Sequence, residues 1–203
     1  RIELPEPSLE GNISLESALN TRRSIREFSN NPLSIEQLSQ LLWSAQGITG
    51  PGGRRTAPSA GALYPVEILV SADNVSGLDA GIYRYFTADH SLILVAGGSF
   101  ADEISQAGLG QSAIADAPVN IIITAVFERI TGRYGNRGIN YAYVEAGHVC
   151  QNILLQAVCL DLGAVPIGAF TDRDISRILR LDENETPIYI IPIGTQEDGS
   201  AES

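Results

Sequence analysis

From about residue 140 to residue 162, small and apolar residues recur at helical spacing on more than one face, until Gly163 breaks the pattern. A helix that is apolar nearly all round is a buried helix, so this segment belongs at the centre of a fold or against a partner subunit. The shorter elements must supply its cover. Ser14 is placed to cap a short helix running to about Arg22. Ser34 and Gln37 form a capping-box pattern ahead of Leu38, Leu41, Leu42 and Ala45, which recur at helical spacing until Gly47. Residues 50–61 carry the glycines and prolines of an irregular loop.

Strand patterns follow at 66–71, at 81–86 and 91–96 flanking the turn-like T-A-D-H, at the strongly apolar 120–127, and at 188–193. Short helices are expected at 100–107 and, capped by Thr171 and Asp174, up to about Arg180. Few strands are separated by full crossover helices in regular alternation, which favours an α+β fold over a doubly wound sheet. No internal repeat or linker divides the chain. It reads as an N-terminal arm (1–13), one domain (14–195) and an acidic tail (196–203).

Composition narrows function. With 203 residues, 44% of them hydrophobic, the chain can bury a substantial single core. No apolar run is long enough for a membrane span, and the N-terminus lacks a basic-then-apolar signal pattern, so a soluble, cytoplasmic protein is expected. A net charge of −11 would repel nucleic acid and anionic membrane unless cations were locally concentrated. All thirteen basic residues are Arg, which removes Lys Schiff-base chemistry and a P-loop lysine. Any phosphate must then be held by guanidinium forks, hydroxyls and backbone N–H groups.

Three of those arginines, Arg22, Arg23 and Arg26, fall within five positions beside Ser24, where a helix is expected to stop. Side chains and freed backbone can converge there on one compact anion; the alternative is an arginine-decorated helix C-terminus complementing its dipole. Pro58, Ser59, Ala60 and Gly61 end the irregular loop with small side chains that would let a flat ligand approach the backbone. Gly163 to Phe170, with Gly168 and Ala169, could press backbone against an aromatic ring or simply cross a crowded core.

In the segment E-R-I-T-G-R-Y-G-N-R-G, Arg133 and Arg137 flank Tyr134, which suits that phenol to proton transfer; an ordinary solvated loop is the alternative. His148 follows Glu145 by three residues, close enough on a helix for an orienting hydrogen bond. Cys150 and Cys159, nine residues apart, fall on roughly opposite faces of one helix and cannot pair within it. With only His90 and His148 besides, no zinc spacing exists, so no metal is expected.

The order of these segments resembles the FMN-dependent nitroreductase superfamily. R-R-S-I-R-E-F, P-S-A-G, E-A-G-H-V-C-Q-N-I-L-L-Q-A, G-A-V-P-I-G-A-F and a closing P-I-G run in that family's order from about Leu15 to Gly194. R-R-T-A-P-S-A-G-A-L-Y-P, G-I-Y-R-Y, G-L-G-Q and R-Y-G-N-R-G followed by E-A-G-H are similar to its SagB-type dehydrogenase branch. The resemblance implies a nitroreductase-like α+β fold, with a central, mostly antiparallel sheet flanked by helices, in an intertwined homodimer with FMN at the interface.

Residue by residue, it implies that Arg22, Arg23, Ser24 and Arg26 hold the phosphate and ribityl end. Pro58, Ser59, Ala60 and Gly61 of the second subunit lie against the flavin, and Pro166, Ile167, Gly168 and Ala169 run along the ring. Gln111 aligns near a polar flavin contact. The implied activity is ping-pong electron transfer from a donor such as NAD(P)H to a small oxidised acceptor, with Tyr134 as proton donor or substrate-orienting group. The alternatives are a SagB-type oxidation of a peptide or small heterocycle, and a non-catalytic flavin-binding protein. Azoline oxidases of that branch carry Lys-Tyr where this chain has Arg133–Tyr134, and Arg stays charged, which weighs against a base at that position.

Overall fold

The computed structural model describes residues 1–197. Edge strand β1 (Ile2–Glu3) comes first, then α1 (Leu15–Thr21), whose N-cap Ser14 accepts a hydrogen bond from the Ser17 N–H. After β2 (Leu33–Ser34), the expected capping box opens α2 (Ile35–Gln46): the Gln37 N–H donates to Ser34 Oγ at 3.2 Å and the Ser34 N–H to Gln37 Oε1 at 2.9 Å. β3 (Ile48–Gly50) and β4 (Arg54–Arg55) make a small hairpin inside the expected irregular loop. β5 (Val66–Ala72), β6 (Val75–Ser76), β7 (Gly81–Phe86) and β8 (Ser91–Gly97) follow. The β7–β8 hairpin is the expected one, its turn ending on His90 in left-handed conformation (φ 48°).

The second half contains α3 (Ala101–Ala107), α4 (Ser112–Asp116), β9 (Val119–Val126), α5 (Glu128–Tyr134), α6 (Arg137–Cys159), β10 (Gly163–Ala164), α7 (Asp172–Leu179) and β11 (Glu185–Gly194). Two differences from the sequence expectations bear on the site. The segment around Tyr134 is a helix, α5, rather than a loop, and α6 begins at Arg137 because Gly135, at φ 56°, breaks the helical path and lets it restart. Thr171 does occupy the N-cap of α7 but forms no side-chain cap; Asp172 and Asp174 in the first turn favour the positive helix end instead.

Seven strands form one sheet in the order β1-β8-β7-β5-β9-β11-β10, and every neighbouring pair is antiparallel. Helices cover both faces, making this the expected α+β architecture. On one face Ile121 and Ile123 of β9 meet Leu38, Leu41 and Leu42 of α2 and Val149, Ile153 and Ala157 of α6. On the other, Ile122 and Ile190 pack with Ile104 of α3, Ile114 of α4 and Ile175 and Leu179 of α7. Side chains alternate across a strand, so β9 reads as an unbroken apolar run because both of its faces are covered.

Across interior strands of the sheet, Arg84 of β7 forks onto the buried Glu185 carboxylate of β11 at 3.0 and 2.7 Å, and the Thr124 hydroxyl of β9 also donates to it. The arm is tied down more firmly than its composition implies: Ile2 and Glu3 pair with β8, and Leu4 is buried. Ser39 Oγ donates to the Pro5 carbonyl at 2.5 Å and lies 2.7 Å from His90 Nε2, while the Tyr85 hydroxyl lies 2.8 Å from His90 Nδ1. Burial pushes the His90 pKa down, opposed by the Pro5 carbonyl and Glu6. A neutral His90 therefore locks the arm to α2 and the β7–β8 turn. Of the acidic tail, Gln196 bridges to Phe28, and residues 198–203 lie outside the described residues. Among the described residues no helix is long and apolar enough to cross a membrane.

Candidate functional site

The expected site residues assemble into two groups. In the first, Ser24 bridges to Ala164 in parallel register, and the Ile25 N–H donates to the Ala164 carbonyl at 3.1 Å. This seats the arginine-rich segment directly beside the 163–170 segment. Ile167 exchanges both backbone hydrogen bonds with Ile190 of β11, at 2.8 and 2.9 Å, which pins the segment to the sheet. Gly168 and Ala169 then emerge exposed, so they do not cross a crowded core. Among the described residues their N–H groups donate to nothing. Gln111 joins this group: its Nε2 donates to the carbonyls of Gly108 at 2.8 Å and Ala169 at 3.2 Å.

A cleft of about 710 Å³ lies alongside, lined by Arg23, Ser24, Ile25, Asp161 and Ala164 among others. The three arginines divide in use. Arg23 folds back onto the end of α1, donating to the carbonyls of Asn20 and Arg22, which is the dipole-complementing role. The Arg22 and Arg26 side chains have no hydrogen bond or carboxylate partner among the described residues, in a chain with 24 acidic residues. They are free to meet an anion.

The second group surrounds the 58–61 turn. Gly61 adopts φ 64°, and two non-glycine residues just after it, Ala62 at 53° and Tyr64 at 46°, are also left-handed. Such conformations cost about 1 kcal/mol or more each, so surrounding contacts must impose them. Several do. The Tyr64 N–H donates to Ser59 Oγ at 2.9 Å, the Arg55 N–H donates to the Tyr64 hydroxyl at 3.3 Å, and the Arg55 guanidinium lies 4.2 Å from the Tyr64 ring centroid. Space is tight as well: a Cβ on Gly61 would stand 2.9 Å from Tyr134 Oη and 3.1 Å from Arg133 Nη1. Tyr134 is thus held against this turn by α5, an adjacency invisible in a sequence where the two lie more than seventy positions apart.

Glu145 of α6 sits beneath the same turn, almost fully buried, and among the described residues neither carboxylate oxygen has a well-aligned hydrogen bond. Burial pushes its pKa up; Ser59, Arg55, Gln46 and the Val66 backbone lie close enough to oppose the rise. The expected Glu145–His148 hydrogen bond is not formed, because Glu145 turns inward while His148 is exposed. Sequence reading missed Glu145 as a partner of the turn. Its signal was a carboxylate on the otherwise apolar face of a buried helix. Cys150 on that helix is an inert core thiol, pushed up to about 12 by burial. Among the described residues no group of three or more His, Cys, Asp or Glu could hold a metal ion.

An antiparallel sheet covered by helices on both faces is the architecture of the nitroreductase fold, and proteins of that family are oxidoreductases. Residues 19–195 match the Nitroreductase family model, and the chain belongs to that family. Members are generally flavoproteins. A protein of Methanocaldococcus jannaschii named as a nitroreductase is 42% identical over 193 residues, 95% of this chain and 96% of that one. The solved structure of a protein named as a nitroreductase from Ralstonia eutropha superposes with a TM-score of 0.84 at 30% identity, over 96% of this chain and 89% of that one. The microcin B17-processing protein McbC of Escherichia coli is 29% identical over 167 residues, 79% of this chain and 61% of its own length.

Proposed function

We propose that this chain is an FMN-dependent reductase, working as a homodimer and carrying electrons from a donor such as NAD(P)H to a small oxidised acceptor. The observation that carries this reading is the Ser24–Ala164 bridge, which lays the backbone of the segment holding Arg22 and Arg26 beside the segment that runs on to Gly168 and Ala169, whose N–H groups have no partner among the described residues. That donor set fits FMN: Arg22 and Arg26 would hold the phosphate, and the two N–H groups would meet the polar edge of the ring. Bound there, FMN would supply the two-electron hydride chemistry. The protein's own tasks are to bind, orient and exclude. Pro58–Gly61 from the second subunit would cover the site, its strained turn already fixed by Ser59, Tyr64 and Arg55. The Tyr134 hydroxyl lies beside Gly61, where it would donate to an acceptor or orient one. Donor and acceptor would use the same opening in turn.

The likeness to McbC supports a second reading, in which the site oxidises a heterocycle on a peptide. A guanidinium is a poor proton acceptor, so Arg133 disfavours it as a base-assisted reaction. Anaerobic mixing with NADH and NADPH separates the two readings: rapid bleaching of oxidised flavin supports the reductase, and no bleaching by either nicotinamide rejects the donor assignment. The cofactor site is tested by the absorption spectrum of freshly purified protein. Replacing Arg22 and Arg26 together with Ala should weaken FMN binding about 100-fold, tenfold for each lost contact of about 1.4 kcal/mol, with the fold intact. Unchanged affinity in the folded variant would reject the phosphate assignment.

A further inference from the structure

Four side chains interleave at the junction of α5 and α6. The Arg133 guanidinium lies 5.4 Å from the Tyr134 ring centroid, the Tyr134 and Tyr141 rings meet edge to face at 5.3 Å, and the Arg137 guanidinium lies 5.6 Å from the Tyr141 centroid. Both tyrosines are half-buried, packed with Ile130, Ala142 and Leu63, so the two cations rest on a fixed aromatic base.

Neither arginine has a carboxylate within 4.0 Å among the described residues, whereas Arg1, Arg84, Arg129 and Arg177 each do. Arg133 ends α5, where a cation complements the helix dipole. Arg137 opens α6, where the positive helix end opposes it. The Tyr141 ring one turn on offsets that opposition in part, and among the described residues no ion pair neutralises the charge. The cluster also abuts the 58–61 turn, with Arg133 Nη1 and Tyr134 Oη crowding the position a Gly61 Cβ would take.

We propose that Arg133 and Arg137, with the hydroxyls of Tyr134 and Tyr141, form a carboxylate-binding subsite that selects planar acidic substrates for the adjoining redox site. This rests on the proposed flavin function for its purpose. Guanidinium forks match a carboxylate in two-point contact, and a phenol can donate to the same oxygens. In a molecule of net charge −11, an anionic substrate would otherwise be repelled, so a local cation pair sets both arrival and orientation.

The test uses benzoate and its neutral isostere benzamide, titrated calorimetrically into the FMN-loaded and the flavin-free protein. Benzoate should bind at least tenfold more tightly, with the difference shrinking as salt is raised. Arg133→Gln and Arg137→Gln should each bring the two affinities to within about threefold while leaving benzamide binding and FMN content unchanged. Equal affinities in the parent protein, no benzoate binding at millimolar concentration, or a preference that survives both substitutions would overturn the subsite. So would loss of FMN from the variants with the benzoate preference intact. A protein that takes up no flavin would sink the redox reading instead, and titration of the flavin-free form would still decide the subsite.

Discussion

Glu145 shows how one residue can be set against the fold and kept. Its carboxyl is buried under the 58–61 turn and its pKa is raised by burial, so the folded state holds the proton more tightly than an exposed side chain would. Stability from this group is therefore complete below the ordinary value of 4.5 and is lost as pH rises through the raised one. Glu145→Gln should melt at a higher temperature than the parent at pH 8, by about 1 kcal/mol of stability, and at an equal temperature near pH 4. A lower melting temperature at pH 8 would show the charge to be satisfied after all. Arg84 is the opposite case, because its fork is what makes the buried Glu185 tolerable. Arg84→Ala leaves that carboxylate without its cation and should cost about 3 kcal/mol, read from urea unfolding. The cost stays at the low end of that class because Arg84 keeps 26% of its side chain exposed.

At the scale of elements, local signals were reliable wherever a cap or a period was complete. Ser34 and Gln37 specify the start of α2 by reciprocal bonds, and Ser34→Ala should lower stability by about 1 kcal/mol, moving the urea midpoint without changing its slope. The hairpin 81–97 was legible from its two strand patterns around a polar turn. Helix α5 was not, because Thr131, Gly132 and Gly135 in seven or eight residues resemble loop composition; the helix forms because Ile130 reaches the core beside Ala125 and Ala142. Tertiary burial overrode weak propensity there. The strands β3 and β4 were missed for a related reason, since a two- or three-residue ladder carries no measurable period.

On the scale of the whole molecule, α6 answers the constraint with which the sequence begins. Its inner face is covered by the sheet and α2, while Tyr143 and Val144 remain 49% and 56% exposed on the outer face. Under the proposed homodimer this face meets a second copy. Val144→Asp should then convert the sedimenting species from two copies to one and release flavin, because the covering turn comes from the partner. A parent protein that sediments as a single copy would remove the dimer from the proposal. The pattern of charge belongs to this scale too: the ion pairs of Arg1, Arg84 and Arg129 tie separate segments together, that of Arg177 stays within α7, and the guanidinium groups without carboxylate partners among the described residues include Arg22, Arg26, Arg133 and Arg137 at the two halves of the candidate site.

The sequence alone determined the fold class, the capped starts of α1 and α2, the apolar strand that becomes β9 and the choice of candidate residues, because periodicity, caps and the motif order are properties of neighbours along the chain. Which of those residues touch was decided only in three dimensions. The Ser24–Ala164 bridge spans 140 positions, and the contact of Gly61 with Tyr134 depends on how α5 packs on the end of β9. The same packing buries Glu145 and leaves the Arg133 and Arg137 side chains without carboxylate partners among the described residues. Long-range packing and the dielectric it creates set those interactions, and neither is written in local pattern.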